Sequence, residues 1–368
     1  MTPEEFELLS QLTIVIPTYN RPLELERSIE YWRDTPVTVH FIDGSPRPHF
    51  VEGLLSNTVS IYYHFMPALP PVNPQLNAYR RLVFATSLPQ TKYSAVGCDD
   101  DFYTISGLLE SIKYLDHHIY FDAAVGSEFH YRQKGNNLVW NFHRGPKKKS
   151  IDLESSSIVE KILVRSSWYL YAVCRTPLWR KYLEIVYTER GFSHSQYLGH
   201  EWLMHYLSKA MFKTKRLDLI SLVRQHLIPG RNLDPEVSWS EWLIDPKNYL
   251  LVNEVVEQLA NGFNVVTSPA DSAKNLALAR GLILKEQAQA HIDERSHNDF
   301  SGIVRSIFST LLFMILPNLK VFSDRPHKLK DSWEMLGAIG LSYDRREIQD
   351  INDLLMKPRD ELRLRTNI

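Results

Sequence analysis

The sequence predicts an α/β fold followed by a mostly helical extension. Three observations carry that expectation. Leu12–Thr18, LTIVIPT, is a short β-branched apolar run without polar alternation, the pattern of a strand buried on both faces of a parallel sheet. Arg21–Asp34 spaces Leu23, Leu25, Ile29 and Trp32 in a helical manner, and Val37–Ile42, VTVHFI, is a second strand, so the opening is a βαβ unit. From about Pro246 the pattern turns mostly helical, which sets a soft boundary between residues 1–245 and 246–368.

Turn residues punctuate the first part of the chain. Tyr19-Asn20-Arg21-Pro22 stops the first strand and Asp43-Gly44-Ser45-Pro46 closes the second. Val59–Tyr63 is a third strand, Asn73–Ser87 a helix, and Lys92–Gly97 a strand running into Cys98-Asp99-Asp100-Asp101. A helix follows Phe102 through about Leu115, and Ile119–Val125 is one more strand. Gly135–Ser150, with the basic run Lys147-Lys148-Lys149, is expected to be a loop, solvated or touching an anionic acceptor or lipid head group. Ser167–Cys174 is strand-like and Pro177–Val186 helical; no repeat of solenoid length occurs. A ligand crevice in such a sheet lies beyond the carboxyl ends of its strands, where Asn20 and Asp43 both fall.

Composition narrows the function classes. Among 368 residues, Lys+Arg 42 against Asp+Glu 43 leaves a net charge of -1, without the basic excess expected of a nucleic-acid-binding surface. Hydrophobic residues at 44% support a large packed core. Cys98 and Cys174 are too few for a disulfide scaffold or a cysteine zinc cluster, which suits a reduced, cytoplasmic compartment. The opening MTPEEFELLSQ is acidic and lacks the basic and apolar regions of a signal peptide. The longest apolar stretch, Ser306–Leu319, is shorter than the ~20 residues of a spanning helix and carries Pro317. It is expected to be a buried core helix, the alternative being a helix lying on a membrane surface.

The acidic triplet Asp99-Asp100-Asp101 carries the clearest chemistry. Adjacent carboxylates repel one another, and a hard cation such as Mg²⁺ or Mn²⁺ relieves that repulsion through oxygen ligands shared with substrate phosphates. Were the segment extended, Asp99 and Asp101 would point to one side and Asp100 to the other. The plainer alternative is an acidic loop or a helix N-cap cluster.

Taken together, IVIPTYNRP, HFIDGSP and VGCDDDF resemble the family-2-like glycosyltransferases of GT-A fold, over roughly residues 12 to 230. That family's pattern is an opening strand ending in P-x-Y-N-R or similar, a second ending in D-G-S, and a D-x-D sequence after another strand. Ile42 stands where the family has the first acid of D-D-G-S. The resemblance implies a Rossmann-like mixed sheet flanked by helices and a nucleotide-sugar site, a UDP-sugar being favoured. It puts Pro17, Thr18, Tyr19, Asn20 and Arg21 at the donor nucleotide, with Thr18 and Tyr19 against the base. Asp43 would accept from a uracil-type N–H, Asp99 would lie near the ribose beside Asp100, and Asp101 with Asp99 would hold Mn²⁺ or Mg²⁺. Arg80 and Arg81 resemble the family's Arg facing the donor phosphates, the alternative being exposed helical arginines. His226 resembles the last residue of an R-x-H element that ligates the metal or closes over the diphosphate; a solvated loop histidine is the alternative.

Gly199-His200-Glu201-Trp202-Leu203 is a fourth piece. The run H-E-W-L-M-H looks like a zinc-protease motif, but His200 and His205 are five apart, about 140° around a helix, and that motif needs four. The resemblance instead aligns Glu201 with the last acid of a G-E-D-like triplet, the catalytic base of inverting enzymes, with His200 in place of the preceding Glu; an ordinary first-turn Glu is the alternative. A carboxylate there would deprotonate an acceptor hydroxyl, while a metal at Asp101 would neutralise the leaving diphosphate. Trp168, Tyr169 and Tyr171 are candidates for stacking on an acceptor sugar or for core packing. Bacterial surface-polysaccharide or lipopolysaccharide assembly is the setting the resemblance implies, with a glycan or glycolipid acceptor and peripheral contact at the inner face of the membrane. Residues 246–368 carry no catalytic motif; acceptor binding, dimerisation and membrane docking are their candidate uses. Two rivals stand beside this reading. A sugar nucleotidyltransferase would carry a Gly-rich phosphate loop after the first strand, where this chain has Pro17-Thr18-Tyr19-Asn20. A non-catalytic nucleotide-sugar-binding protein would have no need of a base opposite a metal site.

Overall fold

The computed structural model describes residues 1–49, 52–55, 58, 60–67, 76–88, 90–134, 137–141, 158, 161, 169–186, 197–225, 239–267, 269–298, 329, 333 and 341–358. A short helix, α1 (Pro3–Ser10), leads into β1 (Leu12–Thr18), α2 (Pro22–Trp32), β2 (Thr38–Asp43), α3 (Glu52–Leu55) and β3 (Ile61–Phe65). Then come α4 (Leu76–Thr86), β4 (Tyr93–Val96), the two-residue β5 (Phe102–Tyr103), α5 (Ile105–His117) and the hairpin β6 (Ala123–Lys134) and β7 (Asn137–Asn141). The remainder is β8 (Val173–Arg175), α6 (Thr176–Val186), α7 (Tyr197–Met211), β9 (Thr214–Gln225), α8 (Trp239–Ile244), α9 (Tyr249–Val266), α10 (Ser272–Asn298) and α11 (Arg345–Met356).

The strands form one mixed sheet in the order β3-β2-β1-β4-β8-β6-β9-β5, with β7 paired to β6 outside this path. The first four are mutually parallel: Thr18 stands opposite Asp43 between β1 and β2, and Val15 opposite Val96 between β1 and β4. The chain runs outward from β1 to β3 and then returns to lay β4 on β1's other side. That reversal leaves a crevice beyond the carboxyl ends of β1 and β4, the usual ligand position in open α/β sheets. The fold class expected from the sequence, an α/β sheet flanked by helices, is the fold observed.

Helices cover both faces. On one, α2 and α5 bury Leu25, Ile29, Leu108 and Ile112 against Ile14, Ile16 and Phe41. On the other, a single apolar core runs from Val15 and Val96 through Trp179 of α6 and Leu203 of α7 to Val255, Leu259 and Phe263 of α9. Each such side chain stabilises the fold by ~1.5–3 kcal/mol on full burial. α9 packs on α7 closely enough that any side chain at Gly262 would overlap Leu207. A third cluster seats Ile348, Ile351 and Leu355 of α11 on Phe102, Phe129 and Trp140. Glu347, also on α11, accepts from the Ile105 N–H, from the Ser106 N–H at 3.3 Å and from the Ser106 Oγ at 2.7 Å, which caps α5 from across the sequence.

Several elements depart from the sequence expectation. Residues 119–122 are a turn and bend, and β6 begins at Ala123 and extends to Lys134. Asn137–Asn141, expected in a loop, pairs with β6 because Trp140 has a core to enter. Tyr169–Tyr171 is a 3-10 turn, leaving only Val173–Arg175 as strand. β9 had no counterpart in the sequence reading. Lys147–Lys149, Trp168 and Ser306–Leu319 lie outside the described residues. Among the described residues no helix is long and apolar enough to cross a membrane.

Candidate functional site

Two buried carboxylate corners form at the ends of β2 and β4. The first begins where β1 stops. Asn20 has φ 53°, a left-handed conformation that Asn tolerates better than most residues, and Pro22 then opens α2 with its φ preset for a helix. The Asn20 N–H donates to Ser45 Oγ at 2.9 Å, which ties the β1 turn to the β2 turn. Asp43 is fully buried. Its Oδ1 accepts from the Ser45 N–H at 2.8 Å and the Ser45 Oγ at 2.5 Å, and its Oδ2 from the Tyr63 hydroxyl at 2.5 Å. His49 Nε2 stands 3.8 Å from Oδ2. Burial, reinforced by the bond to Asp43, raises the Tyr63 pKa, so this phenol stays a donor.

Arg81, on α4, lies behind that corner with 3% of its surface exposed. Its Nε and Nη1 have no hydrogen-bond partner among the described residues, and burial lowers its pKa to about 10 against the opposing pull of Asp43 and Asp99. A side chain at Gly44 would overlap this guanidinium, so the glycine of D-G-S is what gives Arg81 its place. A buried cation without partners costs free energy unless an anion completes it. Its neighbour Arg80 is half-buried, with Nη1 also unpartnered among the described residues.

The second corner is the triplet after β4. Thr18 Oγ1 donates to Asp99 Oδ2 at 2.6 Å, and Arg21 Nη1 bridges Asp99 Oδ1 at 2.9 Å and Asp100 Oδ2 at 2.6 Å. Asp101 Oδ1 accepts from the Gln225 N–H at 2.9 Å, and Arg224 Nε stands 3.6 Å from its Oδ2. Burial and the neighbouring Asp100 raise both Asp99 and Asp101 to about 7, even though Arg21 pulls Asp99 down and Arg224 pulls Asp101 down. The side alternation expected of an extended segment does not hold, because β4 ends at Val96 and residues 99–100 form a turn. Asp99 faces Thr18 and Arg21, while oxygens of Asp100 and Asp101 gather with Cys98 Sγ, all within 4.8 Å of one another.

That grouping fits a divalent cation. Two carboxylates are a normal protein contribution to Mg²⁺ or Mn²⁺, and Asp100 and Asp101 offer them here. A cavity of about 40 Å³ opens beside Asp99 and Asp100, bordered by Arg27, Tyr131, Gln225 and Leu355, which is the scale of a water or an ion.

Among the other expected residues, Thr18 is buried, Pro17 and Tyr19 are half-buried and Asn20 is exposed, along the end of β1 and the turn after it. Tyr171 is buried rather than presented for stacking on a sugar. Its hydroxyl is 3.2 Å from Cys98 Sγ and its ring lies 5.1 Å from the Arg224 guanidinium. Glu201 belongs to α7, which starts four residues before it; its side chain, that of Tyr169, and the whole of His226 lie outside the described residues.

The sequence reading passed over a charged network beneath the second corner. Glu128 Oε2 is 3.2 Å from His130 Nε2 and 3.6 Å from Arg224 Nη1, so Glu128, Arg224 and Asp101 form one chain of charges. The available signal was Glu128-Phe129-His130, two ionisable residues two apart, the spacing that puts them on one face of a strand. Ser45 and Tyr63 were missed as well, since neither announces that it satisfies Asp43.

No protein-family model and no curated protein matches the chain. Among solved structures it is similar to S. aureus TarS, with 12% sequence identity and a TM-score of 0.39, over 76% of this chain and 54% of that one. The chain thus spans about half the length of that structure.

Proposed function

We propose that the chain is a metal-dependent glycosyltransferase that moves a sugar from a nucleotide-sugar donor to a hydroxyl of a glycan or glycolipid acceptor, with inversion and with Glu201 as base. The observation that carries this reading is the buried Arg81 guanidinium, two of whose nitrogens have no hydrogen-bond partner among the described residues, within electrostatic reach of Asp43 and of Asp99 in the acidic triplet. A buried guanidinium with two unbonded nitrogens among the described residues, and carboxylates that Arg21 and Arg224 neutralise only in part, are both answered by a metal-bound diphosphate. The D-G-S and D-x-D resemblances, lying at the ends of parallel strands, support the same reading.

Asp43, held by Ser45 and Tyr63, is a rigid acceptor for an N–H of the base. Thr18 and Arg21 fix Asp99 at the ribose, and Arg81 takes the diphosphate. Asp100 and Asp101 would hold Mn²⁺ or Mg²⁺, which supplies Lewis-acid neutralisation of the leaving group. As the acceptor oxygen forms its bond to the anomeric carbon, Glu201 takes the hydroxyl proton, and the bond from that carbon to the phosphate oxygen breaks with its electron pair leaving on the nucleoside diphosphate. Attack from the face opposite the leaving group inverts the centre.

The test is nucleoside-diphosphate release from a panel of nucleotide sugars with Mn²⁺ and with a chelator, together with donor binding by the wild type and Glu201→Gln. The expectation is Mn²⁺-dependent release, and a loss of transfer in Glu201→Gln of about 10²–10⁴-fold with donor affinity retained. Absence of binding to every nucleotide sugar contradicts the reading, and full transfer by Glu201→Gln removes the base assignment.

A further inference from the structure

We infer that α11 is part of the catalytic corner and that Glu347 is a positioning residue for the cation, acting through the backbone that leaves the acidic triplet. The inference rests on the proposed cation site and deepens it. Phe102, Tyr103 and Thr104 are all that separates Asp101 from Ile105, the first residue of α5. Each of them is tied. Phe102 is buried in one cluster with Ile348, Ile351 and Leu355 of α11. The Tyr103 carbonyl accepts from the Tyr31 hydroxyl at 2.5 Å. Thr104 Oγ1 donates to the Ile220 carbonyl at 2.8 Å and accepts from the Gly107 N–H at 3.1 Å. A helix opens with N–H groups that have no partner within it, and Thr104 takes the third of these in α5. Glu347 takes the first two, from Ile105 and Ser106, and the Ser106 Oγ besides. As the third residue of α11, Glu347 stands where a glutamate commonly folds back on its own helix. Here it reaches across, so the direction in which the chain leaves Asp101 is set by a side chain 241 positions beyond Ser106.

The other end of α11 reaches the same corner from another side. Leu355 borders the cavity of about 40 Å³ beside Asp99 and Asp100, together with Tyr131, whose hydroxyl donates to the Asp100 carbonyl at 2.7 Å. Arg27, on the same cavity, donates to the Lys357 carbonyl at 3.5 Å. Just before α11, Ser342 shares backbone hydrogen bonds with Asp218 and Ile220 of β9, both at 3.0 Å. β9 is the strand whose last residue, Gln225, gives its N–H to Asp101. The helix is therefore fastened to the cavity wall beside the triplet, to the chain that follows it and to the strand that holds Asp101. A metal site tolerates little error in where its ligands stand, so a group that fixes their backbone sets the affinity without touching the ion.

Mn²⁺ titration of the full chain tests this, comparing the wild type with Glu347→Gln and with Gln349→Ala. Gln349 lies on the exposed face of the same helix, hydrogen-bonded to Asp353 at 2.8 Å, and serves as the control. Affinities are read at a temperature where circular dichroism shows each protein folded. Mn²⁺ affinity should fall about tenfold in Glu347→Gln, the lower end of the loss when a partner that orients a ligand is removed, and stay at the wild-type value in Gln349→Ala. The wild type gives a second reading that needs no variant and so survives misfolding of Glu347→Gln. Because coupling is reciprocal, bound Mn²⁺ should slow hydrogen exchange in α11 and in the first turn of α5 more than in α9. A Glu347→Gln protein with a lower urea midpoint but wild-type Mn²⁺ affinity overturns the inference, leaving Glu347 a helix cap and the cation site standing. Mn²⁺ binding that leaves exchange in α11 unchanged, or an equal loss of affinity in Gln349→Ala, overturns it as well. Failure of the wild type to bind Mn²⁺ at all overturns the cation site together with it.

Discussion

The two carboxylate corners stand at the ends of β2 and β4, parallel strands on either side of β1, yet they are built differently. Asp43 is closed off by neutral donors, two from Ser45 and one from Tyr63, and every one is within 2.8 Å. The triplet is held by arginines that reach it only in part: Arg21 touches Asp99 and Asp100, and Arg224 stays 3.6 Å from Asp101. Asp43 is therefore held rigid by neutral donors before any ligand arrives, whereas Asp101 keeps a pKa raised by burial and a neighbouring carboxylate. A complete corner is suited to recognition, and an incomplete one to binding the charge that completes it.

Substitutions should separate the two. Asp101→Asn should lower transfer on the order of 10²-fold or more, as removal of one charge-stabilising group does elsewhere, while stability in urea stays the same or rises because a buried carboxylate is gone. Asp43→Asn should do the opposite in kind: loss of two short hydroxyl bonds and an N–H bond should cost ~1–3 kcal/mol, read as a lower urea midpoint. If Asp101→Asn unfolds the chain and Asp43→Asn does not, the comparison is inverted. Arg81→Met should weaken binding of a nucleoside diphosphate about tenfold and raise stability by ~1 kcal/mol, because a methionine fills the site without a buried charge. Calorimetry and thermal unfolding read the two effects separately.

The smallest effect is with pH. The folded-state pKa values of Asp99 and Asp101, about 7, lie above the unfolded carboxylate value. The native protein therefore holds more protons than the unfolded chain between about pH 4 and 7, and the contribution of these groups to stability falls as pH rises through that window. Saturating Mn²⁺ should flatten or reverse that slope, and Mn²⁺ affinity should itself drop as pH falls below 7, since the ion needs the ionised form. An unchanged slope with Mn²⁺ would mean that the ion binds elsewhere.

Much of the first corner could be read from sequence. Leu12–Thr18 and Val37–Ile42 are runs rich in β-branched residues, closed by Asn, Asp, Gly and Pro, and such signals are local. The second corner was only half legible. That Asp99, Asp100 and Asp101 act together followed from their adjacency, but which pair faces which partner depends on β4 stopping at Val96, one residue before the Gly97 of the sequence reading, and on the turn that follows. β9 was invisible because Lys215, Arg216 and Asp218 break its apolar pattern and, beyond Thr214, only Ile220–Val223 are buried. The burial of Arg81 follows from Gly44 lacking a side chain, and the capping of α5 by Glu347 joins residues more than two hundred positions apart. Neither leaves a mark in any sequence window.

The decisive property is where a cation and a nucleoside diphosphate bind. A crystal structure of the chain with UDP and Mn²⁺ should place the ion against the Asp100 and Asp101 carboxylates and a phosphate oxygen on the Arg81 guanidinium. An ion bound away from the triplet, or a diphosphate that leaves Arg81 without a partner, would contradict it.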